Sequence, residues 1–141
     1  MHASEIELIE GGCLCGAIRY RVTGEPLARS LCHCRSCRLG AGAPSVAWVV
    51  LHSKDLVFVT GTPARFQSSP GVLRGFCAGC GTSLTYQREN EPETIDVTTA
   101  SLDRADDFAP EREIWTAEKL AWEALNESLI QYPGSSRTKA G

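Results

Sequence analysis

The sequence predicts a mostly β single domain with little helix. Three observations carry that prediction. Apolar and polar residues alternate in several short runs, turn-forming residues recur between those runs, and helical periodicity is scarce. The chain has 141 residues, of which 43% are hydrophobic, a length that suits one domain with a modest core. The domain is expected over residues 5–130, with a flexible tail over 131–141.

Taken in order, Ile18, Tyr20 and Val22 alternate with Arg19, Arg21 and Thr23, the period of a half-buried strand. Val46 to Leu51 is a short valine-rich run and reads as a buried strand. Leu56 to Val59 is another, stopped by Gly61 and Pro63. Ala64 to Gln67 and Val72 to Phe76 flank the turn Ser68-Ser69-Pro70-Gly71. Leu84 and Tyr86 alternate with polar neighbours, and so do Ile95, Val97 and Thr99. The polar stretch Glu89 to Glu93, with Pro92, is the hairpin loop between them. Thr116 is placed to cap a short helix reaching Glu127, with Leu120, Ala121, Ala124 and Leu125 on one side. From Pro133 onward the small and polar residues predict disorder.

Charged residues make up 22% of the chain and the net charge is -3. Nucleic acid is excluded as an expected partner, because its recognition needs a clustered positive excess. No run approaches a membrane span, and Met1 to Glu10 lacks the basic and apolar regions of a secretory signal. The expected location is the cytoplasm, where thiols stay reduced. Oligomeric state is not encoded in any of these features.

Seven cysteines, at 13, 15, 32, 34, 37, 77 and 80, cannot all pair within one chain. Their close spacing suits a metal, since a tetrahedral ion takes two ligands from one tight turn and two from another. Cys13-Leu14-Cys15-Gly16 and Cys77-Ala78-Gly79-Cys80-Gly81 are two such knuckles. Together they make a closed four-thiolate zinc site, which is structural in kind. Cys32-His33-Cys34-Arg35-Ser36-Cys37 offers three more sulfurs and no eighth cysteine exists. Three protein ligands with one position left for water or substrate is the pattern of a catalytic zinc. Such a sulfur-rich site suits an incoming thiol, which becomes deprotonated on the metal. Spacing alone leaves open a pairing in which Cys13 and Cys15 join the middle run, and an unmetallated redox cluster.

His33 is the alternative fourth ligand, but it lies between two ligands, so its side chain is expected to point away from the ion they share. His2 and His52 read as surface residues. Arg35 and Arg38 flank the open site and are candidate contacts for the carboxylates of a thiol substrate; the bland alternative is that they balance thiolate charge. Trp48, Phe66 and Phe76 are either pocket walls or core.

The order C-x-C-G, C-H-C-x-x-C-R and G-F-C-x-x-C-G-T resembles the glutathione-dependent formaldehyde-activating enzyme family, which also includes centromere protein V. Gly42-Ala43-Pro44 with Trp48, Ser69 through Phe76, Ile95-Asp96-Val97-Thr98, and Glu113-Ile114-Trp115-Thr116 with Lys119, Leu120 and Trp122 extend the likeness over about residues 10–125. The resemblance implies a β-tent fold with two zinc ions. It assigns Cys13, Cys15, Cys77 and Cys80 to the structural ion and Cys32, Cys34 and Cys37 to the catalytic one. It also implies condensation of glutathione with formaldehyde, a carbon–sulfur lyase reaction in reverse. Two positions depart from the family: Glu113 stands where many members have histidine, and Ala121 where many have proline. The expected function is therefore a zinc enzyme joining a small thiol such as glutathione to an aldehyde, the alternative being a non-catalytic zinc module that docks a macromolecule.

Overall fold

The computed structural model describes residues 8–137. Eleven strands are present: β1 (Ile9–Gly12), β2 (Arg19–Val22), β3 (Ala28–Cys32), β4 (Val46–His52), β5 (Leu56–Thr60), β6 (Ala64–Ser69), β7 (Val72–Phe76), β8 (Ser83–Arg88), β9 (Thr94–Thr98), β10 (Arg112–Ile114) and β11 (Ile130–Gln131). One α-helix, α1 (Arg35–Ala41), interrupts them. The mostly β expectation holds, and each alternating run found in the sequence is a strand.

Strands β1, β2 and β5 form a small sheet, and the rest form a second sheet in the order β11-β10-β3-β4-β9-β8-β7-β6. In the larger sheet β10 runs parallel to β3 and β11, and the other pairings are antiparallel. The core lies between the sheets. Tyr20 and Val22 from the small one meet Val49, Leu51, Leu84 and Val97 from the large one. Alternation then dictates what the opposite face of the large sheet carries. Cross-strand partners place Arg112, Ser30 and Trp48 in one row, and Val50, Asp96, Tyr86 and Arg74 in another.

Three expectations need correction. Residues 116–127 are not a helix: only a 3-10 turn, Thr116–Glu118, forms, and Lys119 is already extended. Thr116 does not cap it, because both its amide and its hydroxyl donate to the Tyr132 carbonyl. The segment also buries no apolar face, with Ala121, Trp122 and Ala124 exposed. The expected tail likewise starts too early. Gln131 lies in β11, and the amides of Trp115 and Ala117 donate to the carbonyls of Gly134 and Pro133. Residues 138–141 and 5–7 lie outside the described part. Finally, α1 was not expected, because its N-cap is a cysteine: Cys34 Sγ accepts from the amide of Cys37 at 3.4 Å.

Candidate metal centres and the cavity beside them

Both outer cysteine knuckles are hairpin tips. Residues 13–18 connect β1 to β2, and residues 77–82 connect β7 to β8. Each tip closes with an amide-to-carbonyl bond, Gly16 to Cys13 and Gly81 to Cys77. Gly16 and Gly81 take φ of 81° and 82°, a left-handed turn that a side chain would strain. The result brings Cys13, Cys15, Cys77 and Cys80 together, with sulfurs within 4.8 Å of one another. Adjacent sulfurs are 3.6 Å apart for Cys13 and Cys15 and 3.8 Å for Cys15 and Cys77. A tetrahedron with zinc–sulfur bonds of about 2.3 Å has edges of about 3.8 Å, so the donor set fits that ion. Because one knuckle belongs to each sheet, a metal here staples the two sheets. Hydrogen bonds from the Thr82 hydroxyl and amide lower the Cys80 thiol to about 5, which favours the thiolate a metal needs.

The central sulfurs sit where β3 gives way to α1. Cys32 ends the strand, Cys34 caps the helix and Cys37 faces inward from its first turn. Their sulfurs also lie within 4.8 Å of one another, and among the described residues no further ligand atom joins the group. The amide of Cys34 points at Cys32 Sγ at 3.5 Å. Arg74 Nη1 lies 3.6 Å from Cys37 Sγ. Hydrogen bonds from Cys32 and Cys37 hold the Cys34 thiol well below the ordinary range, whereas the hydrogen bonds with Cys34 and Cys37, together with burial, push Cys32 up. Three sulfurs with N–H donors and a guanidinium beside them can hold a metal at three of four tetrahedral positions.

His33 turns away from these sulfurs. Its ring is fully buried and its Nε2 lies 2.6 Å from Glu113 Oε1. The second oxygen of Glu113 accepts from the amide of Asn126 at 2.6 Å and from Gln131 Nε2 at 3.1 Å. Burial pushes the Glu113 carboxyl up, but the donors of His33, Gln131 and Asn126 outweigh it and hold the group below the usual glutamate range. Glu113 thus braces the Cys32-His33-Cys34 turn from behind.

In front of the three sulfurs lies a cavity of about 470 Å³. Its walls include Trp48, Tyr86, Arg74, Arg112, Asp96 and Trp115. Trp48 and Tyr86 pack at 5.9 Å between ring centres, and the Arg74 guanidinium lies 5.0 Å over the Tyr86 ring. Arg112 donates to Ser30 Oγ at 2.7 Å. Trp115 is the one non-glycine residue with positive φ, 56°, among those described. Of the aromatic residues singled out in the sequence, Trp48 is a buried wall. Phe66 and Phe76 line an adjoining pocket of about 310 Å³ that shares Cys37 and Arg74. Arg35 and Arg38 do not line the cavity. The former is exposed and its amide donates to Glu118 at 2.9 Å. His52 is at the surface, and His2 lies outside the described residues. Asp96, Arg74 and Arg112 escaped sequence reasoning, although strand alternation was a usable signal for Asp96, which sits between Ile95 and Val97, both packed toward the core.

Residues 8–118 match the family model described as glutathione-dependent formaldehyde-activating enzyme. A protein of Halomonas elongata named for that same family is 30% identical over 114 residues, covering 74% of this chain and 72% of its own. An uncharacterized lyase of Schizosaccharomyces pombe is 35% identical over 81 residues, 57% of this chain, and the match spans 58% of that relative's length. Among solved structures, a crystal structure of a Rhodobacter sphaeroides protein is similar with a TM-score of 0.57 and 27% identity, over 67% of this chain and 88% of the other. No helix among the described residues is long and apolar enough to cross a membrane.

Proposed function

The chain belongs to the glutathione-dependent formaldehyde-activating enzyme family, and from that premise we propose that it joins a small thiol, glutathione or a close relative, to formaldehyde or another aldehyde. The observation that carries this reading is the group of three sulfurs without a fourth ligand, opening on a cavity large enough for a small peptide. Cys32, Cys34 and Cys37 would hold a zinc ion there, and Cys13, Cys15, Cys77 and Cys80 a second, structural one. Bound by those three sulfurs, zinc would supply a Lewis acid able to keep an incoming thiol deprotonated near neutral pH.

The rest follows from the chain's own groups. Arg74 beside Cys37 offsets the negative charge of clustered thiolates and leaves room for one more. Trp48 and Tyr86 wall off water from the sulfur nucleophile. The substrate sulfur donates its electron pair to the aldehyde carbon, forming the carbon–sulfur bond. The carbonyl oxygen takes up a proton equivalent to the one the thiol released, so R–SH and CH₂O give R–S–CH₂OH with no other reactant. Reduced cysteines are required throughout, a state that a reducing compartment such as the cytoplasm favours.

Isothermal titration of the zinc-loaded protein with glutathione tests the reading. Saturable binding that is lost in Cys37→Ser, while that variant stays folded, supports it. Absence of binding at millimolar thiol refutes it.

A further inference from the structure

Resting on the thiol reading above, we infer that Asp96 recognises the ammonium group of the substrate, so that the cavity selects thiols built on a free α-amino acid. Asp96 lies on β9 between Ile95 and Val97, whose side chains turn to the other face of the sheet. It lines the cavity, in the cross-strand row that runs Val50, Asp96, Tyr86, Arg74. Arg74 ends that row beside Cys37 Sγ. Asp96 therefore stands two strand spacings from the arginine that touches the sulfur group, about 10 Å. That is too far for contact with a reacting sulfur, and suits the head group of a substrate whose sulfur is at the metal.

The surroundings define which head group. Arg112 and Arg74 are the cations that act on Asp96, and Glu91 is the nearby anion. Yet none of them is committed to it. Arg112 donates to Ser30, and Arg74 to Ser68 at 3.0 Å. Glu91 lies against Arg88 and Arg137 at the rim. Among the described residues the Asp96 carboxylate has no hydrogen-bond partner. Burial pushes it up to about 7 despite the arginines that pull it down, and an ammonium beside it would offset that penalty on its charged form. An α-amino acid head group presents a carboxylate and an ammonium side by side. Guanidinium groups of Arg112 and Arg74 match the former, and Asp96 supplies the acceptor that the latter needs. A thiol carrying carboxylates alone would leave Asp96 facing anions.

The test compares glutathione with N-acetylglutathione, which keeps the sulfur and both carboxylates and loses the ammonium. With zinc-loaded wild type, glutathione should bind roughly ten- to a hundred-fold more tightly, the span expected for one charge-assisted hydrogen bond. Asp96→Asn should remove that preference by weakening glutathione while leaving N-acetylglutathione unchanged or tighter. Equal binding of the two thiols by wild type overturns the role of Asp96 and leaves the thiol reading intact, and this comparison needs no variant to fold. An Asp96→Asn protein that weakens both thiols alike also overturns it, since Asp96 would then serve only to shape the site. If wild type takes up neither thiol, the thiol reading falls and this inference with it.

Discussion

Glu113→Ala should be strongly destabilising, and the size of the effect follows from the hydrogen bonds it removes. The carboxylate is fully buried and accepts from the amide of Asn126 and from Gln131, with His33 Nε2 2.6 Å away. Alanine leaves the buried His33 ring without its partner, at about 1–3 kcal/mol, and removes the part-buried bond from the Asn126 amide, at about 0.5–1.5 kcal/mol. Gln131 keeps its bonds to the carbonyls of Asn126 and Leu129 and adds little. The sum is about 1.5–4.5 kcal/mol, overlapping the span of about 3–5 kcal/mol seen when one partner of a buried pair is deleted. For a domain of this size each kcal/mol moves the melting temperature by about 3–5 °C, so a fall of about 5–20 °C is expected. Denaturant titration of zinc-loaded wild type and variant, read by tryptophan fluorescence, measures it directly. Because His33 sits between two of the sulfurs, the variant should also lose metal from the central group more readily to a chelator. A fall of less than about 1 kcal/mol, with metal retention unchanged, would show that Glu113 does not brace the turn.

The same residue predicts a pH signature. Its carboxyl is held below the ordinary value of 4.5 when folded, so its stabilisation is complete above that pH and fades as pH falls through the folded value. Wild type should therefore exceed Glu113→Gln by a constant margin at neutral pH that narrows in acid, as urea midpoints across a pH series would reveal. Metal counting should give two zinc ions for wild type and one for a folded Cys37→Ser. Cys77→Ser should fail to fold, since the closed site contributes about 10–16 kcal/mol to a domain stable by about 5–15 kcal/mol. Gly61→Ala should cost about 2–4 kcal/mol from left-handed strain plus overpacking, because φ is +64° and the new methyl would lie 2.4 Å from the Ala17 carbonyl. Gly16→Ala has φ of +81° but meets nothing within 4 Å, so thermal melts should show only about 1–2 kcal/mol there.

What the sequence disclosed depended on whether a segment's stability is local. Tyr20, Val49 and Val97 declare their strands because alternation is written in neighbouring residues. Strands β10 and β11 declare nothing: three and two residues long, β10 exists because Arg112 and Glu113 find Ser30 and Leu31 roughly eighty positions away, and β11 because it adds to β10 in turn. Helix α1 was hidden because a sulfur does the capping that serine or aspartate usually does. The false helix after Thr116 arose from a good cap signal that tertiary contact with Tyr132 overrode. Both cysteine groupings were legible, the knuckles from their spacing and the pairing of the outer two from the family resemblance, since spacing alone left a second pairing open. The cavity wall was not. Arg35 and Arg38 are near the sulfurs in sequence, whereas Arg74 and Arg112 are near them through sheet register.

The two sulfur groups also differ in when they can first take up an ion. Cys32, Cys34 and Cys37 span six residues, so a nascent or denatured chain can already clasp metal there, and any such uptake before folding cancels part of the stabilisation it would otherwise give. The quartet cannot close until hairpin tips 62 positions apart have met, which requires both sheets to be in place. Zinc should therefore arrive in order, the local clasp first and the long-range seal last. Only the second event makes assembly of the two sheets hard to reverse, so zinc starvation should trap chains that hold one ion yet lack a native core.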